Sequence, residues 1–222
     1  MSTASVDVVP IFATPFGVVT LPEAPQLNSA LQALFMARAA ERRDARGAVG
    51  TRVFSSRDDL GEWPDEPVRS LIGAMLRGVS SVAAATSDLD SAQFAALRIQ
   101  VRAWFTVVSA DGCVPSTSYP NTSWMAIYCV AAPPPAAERF DSGVLRMHES
   151  RLGNMFQDPA STAARIPYRA GHYMWRPVAG QMAVFPGSIT HEIALLRSSA
   201  ALVLVNARVR FVGSGDSWMP PW

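Results

Sequence analysis

The sequence predicts an α+β fold in which helices come first and a series of short strands follows as a sandwich or barrel. Three observations predict it. Over roughly the first hundred residues, apolar side chains recur at helical spacing. From Arg102 onward the pattern changes to short β-rich runs bounded by turn residues. Near the end, Gly180-Gln-Met-Ala-Val-Phe-Pro-Gly-Ser-Ile-Thr-His191 stops an apolar strand at Pro186-Gly187 and presents a histidine from the next short strand.

Taken in order, Leu27 to Arg43 carries Leu27, Leu31, Leu34 and Phe35 on one helical face. Arginines gather at its C-terminal end, where they complement the helix dipole. Asp65-Glu66-Pro67 opens a second helix over Val68 to Val79, and Ser91 to Leu97 reads as a third, short piece. The polar, glycine-containing stretch from Gly47 to Trp63 is expected as an ordered loop over the barrel mouth. Arg102 to Val108 and Ser123 to Ala131 begin the strands, and Pro133-Pro134-Pro135 is a stiff connector. Val144 to His148, Tyr173 to Pro177, Gln181 to Phe185, Ile189 to Ala194 and Ala201 to Phe211 supply the rest. We therefore expect one domain over 1–222, with helical support over 1–100, a β-core over 101–213 and a tail over 214–222. The tail ends Trp218-Met-Pro-Pro-Trp222, too aromatic for a loose end. It is expected to dock on the body or on a second subunit, in which case the protein is a homodimer. No internal repeat is present.

At 222 residues the chain can bury a sizeable core. Hydrophobic residues at 49% and charged residues at 17% mark a globular protein rather than a disordered one. A net charge of +1 gives no footprint for nucleic acid or an anionic membrane as partner. All 19 basic residues are arginine, which removes Schiff-base chemistry, pyridoxal-phosphate anchoring and a P-loop lysine. Arginine's planar fork is nevertheless well suited to carboxylates. Cys113 and Cys129 have no zinc spacing and are too few for a disulfide framework. Cys129 lies in an apolar run and reads as a core residue. With no signal-peptide pattern and no apolar run of membrane-spanning length, the expected location is cytoplasmic.

Four blocks, read in order, resemble a family of short bacterial and phage 2-oxoglutarate/Fe(II) oxygenases. Ile11-Phe-Ala-Thr-Pro15 followed by Leu27-Asn28-Ser-Ala-Leu31 is similar to that family's opening, and Phe54-Ser-Ser-Arg-Asp-Asp-Leu60 to its block before the second helix. Ser142-Gly143-Val-Leu-Arg-Met-His148-Glu149-Ser150-Arg151 resembles its strand ending in His-Asp-Pro-Arg, and Gly180 to His191 with Val203-Leu-Val-Asn206 its closing strands. The resemblance covers nearly the whole chain and implies a double-stranded β-helix, a jelly-roll or cupin-like barrel with the N-terminal helices packed on it. His191 then matches the family's third metal ligand. The other two ligands, a His-x-His pair just before Pro-Asn, fall on Thr117 and Tyr119 before Pro120-Asn121. A facial triad needs imidazoles and a carboxylate, and a threonine hydroxyl or neutral phenol is a poor substitute. The family's 2-oxoglutarate arginine falls near Ala200, with Arg197 three residues earlier and Arg208 further along the same strand face. The resemblance thus implies an oxygenase fold with a degenerate iron site.

The expected function is a biosynthetic enzyme of natural-product type that does non-oxidative acid/base chemistry. Cyclisation, isomerisation, dehydration or epimerisation of a small-molecule or peptide intermediate would each qualify, with no cofactor. His191 is the candidate acid/base, because imidazole titrates near neutral pH. Its plain alternative is a histidine left over in a decayed site. Tyr119 is a candidate donor to a developing oxyanion, or simply fills the metal's former space. Glu149 is a third catalytic candidate, although pairing with Arg151 suits it equally. Thr117, Asn121, Trp104, Arg197 and Arg208 are candidate substrate-binding residues. His172 reads as a turn residue, and Trp124 and Trp175 as strand aromatics. Two other readings compete: an Fe(II)/2-oxoglutarate hydroxylase with atypical ligands, and a non-catalytic pseudo-oxygenase. Any metal would have to use His191 with His148 or Glu149, and adjacent strand residues point to opposite faces.

Overall fold

Proline in the first turn opens both long helices, at positions where no backbone N–H is needed. In this computed structural model, residues 10, 13–41, 52–134, 139–149, 159, 163–168, 171–213 and 222 are described. Helix α1 (Ala24–Ala40) buries Leu31 and Phe35, one turn apart. Helix α2 (Glu66–Ala84) is longer than its sequence pattern suggests and buries Val68, Leu71, Ile72, Met75 and Val79 along one stripe. Helix α3 (Ser91–Ala95) starts with a capping box in which Asp90 and Gln93 serve each other's backbone N–H groups.

The strands are β1 (Gly17–Thr20), β2 (Val53–Ser55), β3 (Arg98–Val108), β4 (Val114–Thr117) and β5 (Trp124–Ala131), then β6 (Leu145–His148), β7 (His172–Trp175), β8 (Gln181–Pro186), β9 (His191–Ile193) and β10 (Leu202–Val212). They form two antiparallel sheets, ordered β1-β8-β5-β10-β3-β2 and β4-β9-β6-β7. The architecture is the expected α+β double-stranded β-helix with helices on one side.

Alternation along β10 shows how the layers meet. Val203, Val205, Ala207 and Val209 join α1 and α2 in one apolar core. Leu202 and Leu204, on the other face, join Trp104, Ile127, Leu145, Met147 and Trp175 between the two sheets. Phe105 stacks on Phe35 of α1 with ring centroids 4.4 Å apart, tying the helical layer to the larger sheet. Tyr128 is fully buried, and its hydroxyl donates to Asn28 Oδ1 of α1 at 2.7 Å.

Several local expectations need correction. The stretch taken as a loop up to Trp63 contains β2, which pairs with β3, and a 3-10 turn over Leu60–Glu62. Its first residues, 47–51, lie outside the described set. His172 begins β7 opposite His148 and is not a turn residue. Strands β1 and β4 have no counterpart in the sequence reading. Both are short sheet edges, and β4 includes Pro115, which an edge strand tolerates because one side of its backbone need not donate.

The barrel has two distinct ends. At one, Asp111 N–H donates to Leu196 O and Leu196 N–H to Gly112 O, close to where β10 starts opposite Val108. At the other lie Tyr119, the Pro186-Gly187 turn and Thr190, whose carbonyl accepts from His148 N–H.

Candidate active site

The Pro186-Gly187 turn places His191 at the start of β9, where it pairs with Thr117 of β4 and Met147 of β6. Residues directly opposite across antiparallel strands share a face. His191 and Met147 are both buried, so this row looks into the space between the sheets. From the facing sheet, Phe185 meets the imidazole edge-on, with centroids 5.0 Å apart at 74°.

His191 Nδ1 lies 2.9 Å from the carbonyl oxygen of Ile189. A carbonyl can only accept, so Nδ1 carries the proton and Nε2 holds the lone pair of the neutral ring. Burial pushes the imidazole pKa below its ordinary 6.5, and the bond to Ile189 opposes this more weakly. At neutral pH His191 is therefore a neutral base.

Tyr119 is set beside it by backbone bonding. Its N–H donates to Gly187 O at 2.7 Å, and its carbonyl accepts from Thr122 N–H at 3.0 Å. Gly187 is required for this approach, because a Cβ there would lie 2.6 Å from the Thr122 carbonyl oxygen. The Tyr119 ring lies 6.0 Å from that of His191 and meets Trp104 edge-on at 5.7 Å.

A layer of arginine covers these rings. The Arg208 guanidinium carbon lies 5.2 Å from the Tyr119 ring, 5.8 Å from Trp104 and 5.3 Å from Trp222. Asp58 Oδ2 accepts from Arg208 at 2.9 Å. Arg210, two residues on, packs on Trp222 at 4.1 Å and donates from Nε to the Asn121 carbonyl at 2.5 Å.

Of the residues expected from sequence, the fold brings His191, Thr117, Tyr119, Trp104, Asn121 and Arg208 to one end of the barrel. Asn121 takes part through its backbone carbonyl, and its side chain is exposed. Glu149 follows β6 at the same end, where its N–H donates to Gly171 O at 2.9 Å. Its expected partner Arg151 lies outside the described residues. Arg197 does not belong to the group. It sits at the opposite end, half exposed, and pairs with Asp111 at 2.7 Å, an acid that Arg52 also holds. His148 is on the wrong face to join His191 at a metal. It alternates with Met147 and lies 3.6 Å from Glu192, which Arg146 and Ser116 also bind on the outer face of the smaller sheet. The Ser116 hydrogen bond first, and then Arg146, hold the Glu192 carboxyl below its ordinary 4.5.

Asp58, Arg210 and Trp222 were not among the candidates. The signal for Arg210 was present: Asn206, Arg208 and Arg210 form a polar period of two in an otherwise apolar strand. Trp222 packs on the body as expected of the tail, whereas 214–221 lie outside the described residues.

Fe(II) is implied by the fold, and the donors around His191 do not suit it. The positions facing His191 supply a hydroxyl and a thioether, from Thr117 and Met147. Among the described residues no three His, Cys, Asp or Glu side chains converge to hold a metal ion.

Neither a protein-family model nor a curated protein matches the chain. Solved structures match its fold. A prolyl-4-hydroxylase from Pseudomonas putida superimposes with a TM-score of 0.59 at 17% identity, covering 91% of this chain and 94% of that one. The non-heme alpha-ketoglutarate-dependent epimerase SnoN of nogalamycin biosynthesis has a TM-score of 0.59 at 11% identity, over 92% and 83% of the two chains. The carbocyclase SnoK of the same biosynthesis, also alpha-ketoglutarate dependent, gives 0.58 at 14% identity, over 92% and 85%. These likenesses show the double-stranded β-helix of the 2-oxoglutarate/Fe(II) oxygenases.

Proposed function

We propose that this protein is an oxygenase-fold biosynthetic enzyme that carries out non-oxidative acid/base chemistry on a small-molecule or peptide intermediate. The observation that carries the reading is His191: buried, neutral, with Nδ1 fixed to Ile189 and Nε2 left as the base. A proton removed from carbon next to a carbonyl leaves charge on that oxygen. A phenol such as Tyr119 beside the base is suited to stabilise it by hydrogen bonding. The tyrosine's backbone bonds and the edge contact with Trp104 hold it in place before substrate arrives. Return of the proton at a different face or atom gives epimerisation or isomerisation, and expulsion of a β-leaving group gives dehydration. The epimerase and carbocyclase among the structural neighbours support a role in reshaping an intermediate, although both depend on alpha-ketoglutarate.

The same neighbours favour a second reading, an Fe(II)/2-oxoglutarate enzyme with atypical ligands. Incubating a panel of carbonyl compounds in deuterated water, without iron or 2-oxoglutarate, separates the two. Acid/base catalysis incorporates deuterium in the wild type and loses it in His191→Gln. Turnover that appears only with both additions supports the second reading, and binding without exchange or turnover supports a non-catalytic pseudo-oxygenase.

A further inference from the structure

We propose that Asn206 determines which substrates the His191 site accepts, its Oδ1 taking a hydrogen bond from a neutral donor on the substrate, an alcohol O–H or an amide N–H. The proposal rests on reading the space beside His191 as the substrate site and names the class of molecule it takes. Residues alternate along β10, so Asn206 shares a face with Leu202 and Leu204 and looks into the space between the two sheets. In register it lies between Trp104 of β3 and Ile127 of β5, with Ala183 of β8 next in the same row. Trp104 is the ring that meets Tyr119 edge-on, and Tyr119 adjoins His191. The neighbouring row, Arg208, Met125 and Phe185, brings Phe185 against the imidazole itself. Asn206 is therefore part of the wall that faces the base.

The amide is held by one end. Its Nδ2 donates to Thr106 Oγ1 at 3.0 Å, and Thr106 Oγ1 lies 3.2 Å from Ser55 Oγ, so β2 and β3 together fix its orientation. Asn206 is 7% exposed and Thr106 3%. That bond uses the donor side of the amide, and Oδ1 accepts no hydrogen bond among the described residues. In the free protein the oxygen is left to water. Around it stand apolar side chains, among them Ile127 and Leu204, so a bound molecule that excludes the water must replace its hydrogen bond. A substrate hydroxyl or N–H does so, whereas a methyl in the same place leaves the oxygen buried and unpaired. A cationic donor is disfavoured, because Arg208 lies two residues along on the same face.

Two matched pairs of carbonyl compounds are the probes, titrated into 15N-labelled protein and followed on the side-chain amide signals. Hydroxyacetone against butanone exchanges a hydroxyl for a methyl. N-acetylglycine methyl ester against N-acetylsarcosine methyl ester replaces an N–H by an N-methyl. The amide signal missing from Asn206→Leu identifies Asn206, and the rest of that spectrum reports whether the variant keeps its fold. In the wild type the donor-bearing member of at least one pair should bind roughly fivefold more tightly and move the Asn206 signal. The pair that does so tells alcohol from amide. Asn206→Leu should lose the preference, and Asn206→Asp, which keeps an acceptor, should retain it. If Asn206 only ties β10 to β3, Asn206→Leu lowers thermal stability but leaves the preference unchanged, and the proposal falls. It falls as well if the wild type prefers neither donor, whatever the variants do. His191→Gln should keep the wild-type preference. A preference in a wild type that shows no deuterium exchange therefore counts against the acid/base reading and not against Asn206.

Discussion

Burying His191 to 5% exposure makes protonation costly, the Ile189 carbonyl on Nδ1 offsetting this only in part, and this affects both stability and chemistry. The unfolded chain takes up a proton there as pH falls through the ordinary value of 6.5, while the native ring resists. The unfolded state then binds more protons, so stability must decrease as pH drops through that window. Glu192, depressed first by its Ser116 bond, contributes in the same direction but only below its ordinary 4.5, so the two windows separate. Urea unfolding between about pH 7 and pH 5 should show a slope in the wild type that His191→Gln reduces. Parallel slopes in the two proteins contradict the burial argument. For catalysis, His191→Gln should cost roughly 10²- to 10⁴-fold, because the amide bonds but cannot exchange a proton. Tyr119→Phe should cost less, since proton transfer survives. If Tyr119→Phe abolishes exchange and His191→Gln does not, the phenol is the base. His191 was legible in the sequence because a proline-glycine break precedes it. Its tautomer was not, because Ile189 O reaches Nδ1 only through the folded turn.

At the scale of elements, the site depends on two backbone segments held against each other. Gly187 joins the β8–β9 turn to the 119–123 segment, accepting from Tyr119 and donating to Ser123 at 3.2 Å. Gly187→Ala puts a methyl 2.6 Å from Thr122 O and 2.9 Å from its Cβ, where no flexible side-chain end can yield. We predict a loss of about 1–3 kcal/mol in stability, with activity falling further because Tyr119 moves. Thermal melting and the exchange assay check this, and an unchanged variant contradicts the close packing. Long elements were the legible ones. Both long helices and β10 carry a period over many residues, whereas β4, with four residues and a proline, carries none. Asp58 was hidden for another reason: its link to Arg208 spans 150 positions and depends on how β2 and its following turn cross β3.

Across the whole molecule the arginines divide by location. Arg197 and Arg208 were equal candidates in sequence, and the barrel places them at opposite ends. Arg197→Ala should cost at most about 1 kcal/mol, as exposed ion pairs do, and leave deuterium exchange unchanged. A loss of exchange in that variant contradicts placing the site at the His191 end. The order of layers was legible because helical and strand periodicities occupy separate halves of the chain. Which barrel end each loop occupies was not, because strand pairing such as Thr117 with His191 joins residues far apart in sequence. That pairing also carries the central claim, that a hydroxyl faces the histidine where the oxygenase fold implies a metal donor. The most direct test adds Fe(II) and 2-oxoglutarate to the purified protein and measures bound iron together with succinate formed under oxygen. The claim predicts no stoichiometric iron and no succinate above the protein-free control. One iron per chain with oxygen-dependent decarboxylation of 2-oxoglutarate contradicts it.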